Sequence, residues 1–397
     1  MVPDLVGSVA GMTAQTRSSQ PSRPRRPRIV QVIPGFQTGG TENIVVRLVE
    51  HFQDRVDHLV LTPGCDGPLR GRFSKEIPVI ALAEPGKSGR WNAVRMAKVF
   101  GEFRPDIVHG RNWSCIDAII GARLAGVPVV IQGEHGRIAG DPTGQNAFRR
   151  RVRRLLSPLV DQFVAVSSDL ARWLVEEVRL PRRKVLHIPN GVDTTRFSAD
   201  DHHAGRKAIG VPDGWTALGS VGRLDPVKDH ASLLRAFAAV KNDYKALLYL
   251  VGDGPSRSAI EQQVRALGLE TQVRLLGERK DIPLVFKGLD LFFLPSVGEG
   301  MSNSILEAMA TGLAVVATRV GGNPELVQDD VTGTLVEPGA PSALAAAMRR
   351  YLDDPELIAR HGGAGRARVE AEFSLARMLS AYEGLYARLL MPAGKAF

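Results

Sequence analysis

The chain has 397 residues, more than one core usually organises, so two domains of ordinary size are expected. Hydrophobic residues at 44% and charged residues at 23% exclude a disordered chain, and the best apolar run, Ile116 to Ile131, is too short and too interrupted by Arg123 to span a bilayer. A formal charge of +9 points to an anionic small substrate, anionic lipid or nucleic acid; without zinc-finger spacing or a basic motif interleaved with aromatics, nucleic acid is the weakest of the three.

Residues 1–26 mix Ser, Gln, Pro and Arg without periodicity and read as a solvated, disordered basic tail. Asp4 and the lack of a basic leader argue against a signal peptide, and only Cys65 and Cys115 are present, with no metal-ligand spacing; both facts suit the cytoplasm. From Arg28 onward, strand-like runs at Ile29 to Ile33, Leu59 to Thr62, Val79 to Leu82, Asp106 to His109, Val127 to Gln132 and Phe163 to Val166 alternate with amphipathic stretches. Such alternation predicts an α/β domain around a parallel sheet over 27–200, closed by the turn cluster Asn190-Gly191-Val192-Asp193. A second cycle over 201–375 has strands at Leu218 to Val221, Leu247 to Val251, Val273 to Leu276, Leu291 to Leu294 and Ala314 to Thr318. The segment 376–397 then carries a helix over Ala376 to Leu390 that is free to pack back on the first domain.

Two strand exits stand out. After Leu294, Glu299 falls in a loop at the carboxyl end of a parallel strand, Ser302 or Asn303 caps the next helix, and Glu307 lies about one turn in. The amides of Gly300, Met301, Ser302 and Asn303 are then positioned for sugar hydroxyls or phosphate oxygens. A solvated helix carboxylate would also account for Glu307, and a turn residue for Glu299, but the combination favours a site. After Val221, Gly222 is followed by Arg223 and Lys228, two cations suited to a diphosphate that gains charge as it leaves.

Together, Glu299 with Glu307, Val221-Gly222-Arg223, Lys228 and Asn190-Gly191-Val192-Asp193 resemble the motifs of the family 4 retaining glycosyltransferases, from Arg28 to Leu390. Gly39-Gly40-Thr41-Glu42-Asn43, Pro105-Asp106-Ile107-Val108-His109 and Gly133-Glu134-His135-Gly136 look more narrowly like exopolysaccharide sugar transferases of exosortase-associated systems. The resemblance implies a GT-B fold, with two Rossmann-like domains facing each other across a cleft. It also implies a metal-independent reaction with no cofactor beyond the nucleotide diphosphate sugar, which is a co-substrate. On that pattern Arg223 and Lys228 hold the diphosphate, Glu299 and His135 face the donor sugar, and Glu307 binds ribose. One departure is Asp229-His230, where the family commonly has a Gly.

Other elements carry less by themselves. Gly39, Gly40 and Thr41 form either an acceptor or phosphate loop or a tight strand-to-helix turn, and lack the dinucleotide spacing G-x-G-x-x-G. His135, between two glycines, has a setting that looks flexible; His109 at a strand end reads equally as a ligand contact or as structure. Gly277-Glu278-Arg279 is placed to frame a nucleoside base, whereas Gly252-Asp253-Gly254-Pro255 and Gly321-Gly322-Asn323-Pro324-Glu325 read largely as turns.

Phe148 to Leu156 predicts a two-sided helix with Phe148, Val152, Leu155, Leu156 and Leu159 on one face and Arg149, Arg150, Arg151, Arg153 and Arg154 on the remainder. Its apolar face can pack on its own domain or its arginines can meet anionic lipid; the lipid-linked or glycan acceptor implied by the family favours peripheral contact with the inner face of the membrane. The expected function is transfer of a hexose-type sugar with retention. A nucleotide-sugar epimerase, which yields no glycoside, and a non-catalytic nucleotide-sugar-binding protein are the alternatives.

Overall fold

Runs of Val, Ile and Leu that are apolar on both faces are satisfied inside a sheet covered on both sides by helices. The computed structural model, which describes residues 25–36, 39–83, 92–137, 141 and 143–391, arranges them so twice. Of the expected tail 1–26, all but Arg25 and Arg26 lie outside the described residues, as do 392–397 of the last segment.

The first sheet is built by β1 (Arg28–Val32), α1 (Gly40–Phe52), β2 (Asp57–Thr62), β3 (Val79–Ala81), α2 (Asn92–Phe103), β4 (Ile107–Arg111), α3 (Asp117–Leu124), β5 (Val129–Glu134), α4 (Ala147–Leu156), β6 (Gln162–Ala165), α5 (Ser168–Glu176) and β7 (Val185–His187). The second follows from α6 (His202–Ile209), β8 (Thr216–Val221), α7 (His230–Ala238), β9 (Ala246–Val251), α8 (Arg257–Ala266), β10 (Val273–Gly277), α9 (Ile282–Lys287) and β11 (Leu291–Leu294). It is completed by α10 (Asn303–Ala310), β12 (Ala314–Thr318), α11 (Asn323–Leu326), β13 (Gly333–Val336), α12 (Pro341–Asp353) and α13 (Pro355–Glu372), before the last helix, α14 (Leu375–Leu390).

Seven parallel strands run in the order β3-β2-β1-β4-β5-β6-β7, with Val30 opposite Val108, and six in the order β10-β9-β8-β11-β12-β13. Strand order therefore reverses between β1 and β4 and again between β8 and β11. A crevice opens at the carboxyl ends of the strands at each such reversal, and this positions the site. The architecture is two Rossmann-like α/β domains. β7 and β13, absent from the sequence reading, are short edge strands of three and four residues, too brief to show a period.

The chain crosses between the domains twice, side by side. Val192 donates to the Phe373 carbonyl at 2.9 Å and Leu375 donates to the Val192 carbonyl at 2.8 Å. Gly191 is packed against Ser374 and Leu375, so a Cβ there would strike backbone. Beyond this crossing α14 returns to the first domain, burying Met378, Tyr382, Leu385, Tyr386 and Leu390 against Ile29, Leu48, Phe52 and Ile131. His187 Nε2 also meets Glu325 Oε1 across the domains at 2.9 Å. Among the described residues no helix is long and apolar enough to cross a membrane.

Candidate functional site

On the second domain the site starts where β8 ends. The Arg223 side chain is 67% exposed, and its one ion-pair contact among the described residues is Asp225 at 4.0 Å. Pro226 opens a short helical turn that brings Lys228 back across Gly222, with Lys228 Cε 3.9 Å from where a Cβ of Gly222 would stand. Lys228 Nζ lies 2.6 Å from Glu299 Oε1, which also accepts from Ser296 Oγ at 2.6 Å. Lys228 is thus an ion pair with Glu299 rather than a free cation. The two loops are tied by Val297 N donating to the Val227 carbonyl at 2.8 Å. Asp229 takes the left-handed conformation, φ 45° and ψ 44°, that a Gly would adopt without strain, and its carboxylate caps α7 at Ser232 N.

The loop after β11 enters α10 with Ser302 as the N-cap, its Oγ accepting from Ile305 N at 3.3 Å. Met301 turns inward, its sulfur accepting from Asn190 N at 3.2 Å, while Asn303 accepts from Asn190 Nδ2 at 2.9 Å and donates to the Gly40 carbonyl at 3.2 Å. Asn303 therefore ties α10 to the turn cluster at Asn190 and to the start of α1 in the first domain. Burial pushes the half-buried Glu307 carboxyl up to about 7, against the pull of Arg196. Gly321 and Gly322 are more than a turn: a Cβ on either would strike the Glu299 or Gly300 carbonyl, so their bareness lets the loop after β12 back the Glu299 loop. Arg279 holds its guanidinium fork on Asp281 at 2.8 and 2.6 Å.

The first domain contributes its own strand exits. Gly40 and Thr41 form the first turn of α1 and Gly39 its N-cap. Burial raises the Glu42 carboxyl while Arg111 and Arg223 pull it down, which places a first-domain carboxylate between cations of both domains. His135 departs from its reading as a flexible loop residue. It is buried, its backbone N–H is held by Asn112 Oδ1 at 2.8 Å, and a Cβ on Gly300 would strike its carbonyl oxygen. The structure thus brings His135, Gly300, Glu299 and Lys228 to one place. His109 also departs from its expectation: β4 runs two residues further than its hydrophobic pattern, so His109 is a fully buried strand residue, not part of an acceptor or phosphate loop.

Three residues that the sequence reading passed over hold this floor. Arg111 is fully buried beside His109, with Nη1 3.2 Å from the His109 carbonyl. Asn112, at φ 58° and ψ 178°, sits in a conformation costly for a side-chain-bearing residue and pins both His135 and Gln132. Tyr386 arrives from α14 to meet His109 Nδ1 at 3.0 Å. Only the strain at Asn112, a residue type tolerant of positive φ, left a trace in composition.

The α4 expectation needs correction. Arg153 is buried, bidentate to Glu134 at 2.7 and 3.0 Å, with its guanidinium 5.0 and 5.1 Å from the Trp113 and Trp173 rings. Arg150 pairs with Glu177 at 2.7 Å, Arg154 Nε donates to the Val178 carbonyl, and Arg149 lies over Trp113. The five arginines are not one solvated face, because Glu134 at the end of β5 demands a counter-charge and the helix rolls to supply it. Phe148 and Leu155 turn outward instead, 69% and 76% exposed.

The family described as Glycosyltransferase Family 4 matches residues 38–196, and that described as Glycosyl transferases group 1 matches 216–354. The chain is 30% identical to the 2-deoxystreptamine glucosyltransferase of Streptomyces kanamyceticus, over 67% of this chain and 72% of that one. It is 29% identical to the UDP-Gal:alpha-D-GlcNAc-diphosphoundecaprenol alpha-1,3-galactosyltransferase of Escherichia coli, over 66% and 70%. It is also 29% identical to the N-acetyl-alpha-D-glucosaminyl L-malate synthase of Bacillus anthracis, over 74% and 77%. Among solved structures, Anabaena HepE in complex with UDP and glucose superposes with a TM-score of 0.81 at 23% identity, over 91% of this chain and all of that one, which shows the fold. With both domains matched and their strand exits facing one cleft, the chain belongs to the family 4 glycosyltransferases of GT-B fold.

Proposed function

We propose that this glycosyltransferase retains anomeric configuration, works without a metal, and moves a hexose-type sugar from a nucleotide diphosphate to a glycan or lipid-linked acceptor of an exopolysaccharide-type polymer. The observation that carries the reading is the exposed Arg223, with Asp225 at 4.0 Å as its one ion-pair contact among the described residues, beside the Lys228–Glu299 pair at the β8/β11 reversal. Arg223 grips the diphosphate as a fork. Lys228 has donors left over after Glu299, and the amides entering α10 add partial positive charge. Glu299 and His135 orient the sugar, and Glu307 receives ribose hydroxyls. As the bond from the anomeric carbon to the phosphate oxygen breaks, its electrons pass to the diphosphate. The acceptor oxygen bonds to the same face, and its proton goes to the departing phosphate. Fixed cations there supply the charge stabilisation that a metal would otherwise give.

A diphosphoundecaprenol-linked substrate in the name of one relative supports a lipid-linked acceptor here, and hence work at the inner face of the membrane. The corrected α4 surface fits this contact better through Phe148, Arg151, Arg154 and Leu155 than through five arginines. The test is product analysis: a panel of nucleotide sugars with a lipid-linked saccharide acceptor, and the anomeric configuration of the new glycoside read by NMR. An inverted glycoside, or an altered nucleotide sugar with no glycoside, overturns the reading.

A further inference from the structure

Gly133, in the last turn of pleat before the end of β5, has no side chain, and the space where its Cβ would stand is walled by two imidazoles. His135 Nε2 lies 3.0 Å from that point and His109 Nε2 3.3 Å. Both nitrogens are buried, and neither has a hydrogen-bond partner among the described residues. Polar atoms at such depth are answered by water or by a ligand.

The direction of one of them follows from its neighbours. Arg111 Nη2 lies 3.4 Å from His109 Nδ1, and Tyr386 Oη stands 3.0 Å from the same nitrogen. A guanidinium has only donors. Because Arg111 donates to Nδ1, that nitrogen accepts, and the Tyr386 hydroxyl at 3.0 Å is the donor of their bond while its oxygen accepts from Gln31 Nε2 at 3.5 Å. Two donors converge on Nδ1, which must therefore accept, and the imidazole proton sits on Nε2, facing the space above Gly133. Burial and the Arg111 charge hold both imidazoles neutral, with His135 pushed down to about 3 and His109 well below its usual range. One can then donate while the other accepts.

We propose that His109 is a sugar-recognition residue, its Nε2–H held by Tyr386 and Arg111 so that it and His135 together grip one hydroxyl of the donor sugar above Gly133. Tyr386 is its positioning residue, supplied by the last helix. The inference rests on the nucleotide-sugar reading above, and it names a contact made by the sugar rather than by the nucleotide.

Two measurements on the full chain test it. Histidine-selective ¹⁵N labelling with two-bond proton correlations reports the tautomer without any substrate, and His109 is expected with its proton on Nε2. Calorimetric binding then compares UDP-, GDP- and dTDP-hexoses with the bare nucleoside diphosphates. For the sugar that binds best, His109→Leu is expected to weaken binding about tenfold with no change for the diphosphate. His109→Gln, which can place an N–H near the Nε2 position, should stay within about threefold, and Tyr386→Phe should lose about fivefold. A proton on Nδ1, or equal sugar affinity in folded His109→Leu and wild type, overturns the proposal while leaving the nucleotide-sugar reading intact. Failure of the wild type to bind any donor removes both.

Discussion

Glu307 stands in the second domain at an energetic cost that can be measured. Burial raises its carboxyl from 4.5 to about 7. At 1.36 kcal/mol for each tenfold change in proton affinity, keeping it charged costs the fold about 3 kcal/mol. The sign follows from proton counting. Between those two values the folded state holds more protons than the unfolded one, so stability falls as pH rises through the window and is fully diminished above about 7. Glu307→Gln keeps the shape and cannot ionise. Urea unfolding of the two proteins should nearly coincide at about pH 4 and separate by about 3 kcal/mol at about pH 8, with the variant the more stable. If ribose hydroxyls donate to the carboxylate, donor binding favours its charged form and releases a proton near neutrality, which calorimetry in buffers of different ionisation enthalpy detects. Midpoints that track together across this range, or a wild type that gains on the variant as pH rises, would refute the reasoning.

Four other outcomes are expected. Arg223→Ala and Glu299→Gln should each lower turnover about 10²- to 10³-fold in folded protein, and near wild-type rates for both would remove the assigned site. Activity should survive a chelator, since the sequence contains no Asp-x-Asp triplet and the proposed reading gives the diphosphate to Arg223 and Lys228; complete loss restored by manganese or magnesium would contradict this. Arg153→Ala should destabilise the first domain by roughly 3–5 kcal/mol in chemical denaturation, because it strands the buried Glu134. Co-sedimentation with anionic vesicles should fall with salt and with Phe148→Ser/Leu155→Ser or Arg151→Ser/Arg154→Ser; wild-type protein indifferent to such vesicles at low salt would rule the surface out.

What could be read in advance divides along physical lines. The α/β alternation was plain because β9, β11 and β12 are buried on both faces and carry near-continuous apolar runs. Ser302 marked the start of α10 by cap chemistry that acts over a few residues. The floor under His135 was not legible, because Arg111 continues a strand whose hydrophobic pattern had already ended, Asn112 turns the chain just beyond it, and Tyr386 reaches His109 from 277 residues away. Charge misled at α4, where composition shows five arginines but only the tertiary position of Glu134 decides which one turns inward.

The return of α14 to the first sheet has a consequence for how the protein is made. Ile29, Leu48 and Phe52 leave the ribosome before the second domain, and the helix that covers them emerges only after it. While the second domain is being synthesised, one face of the first sheet waits uncovered, with the His109–Arg111 layer open to water and its apolar neighbours open to other chains. The first domain therefore reaches its final stability only once α14 has emerged and docked, and the site's floor is set in the same step by Tyr386. A chain stopped just after α13 would release a nearly whole second domain beside a first domain that is sticky and cannot orient His109.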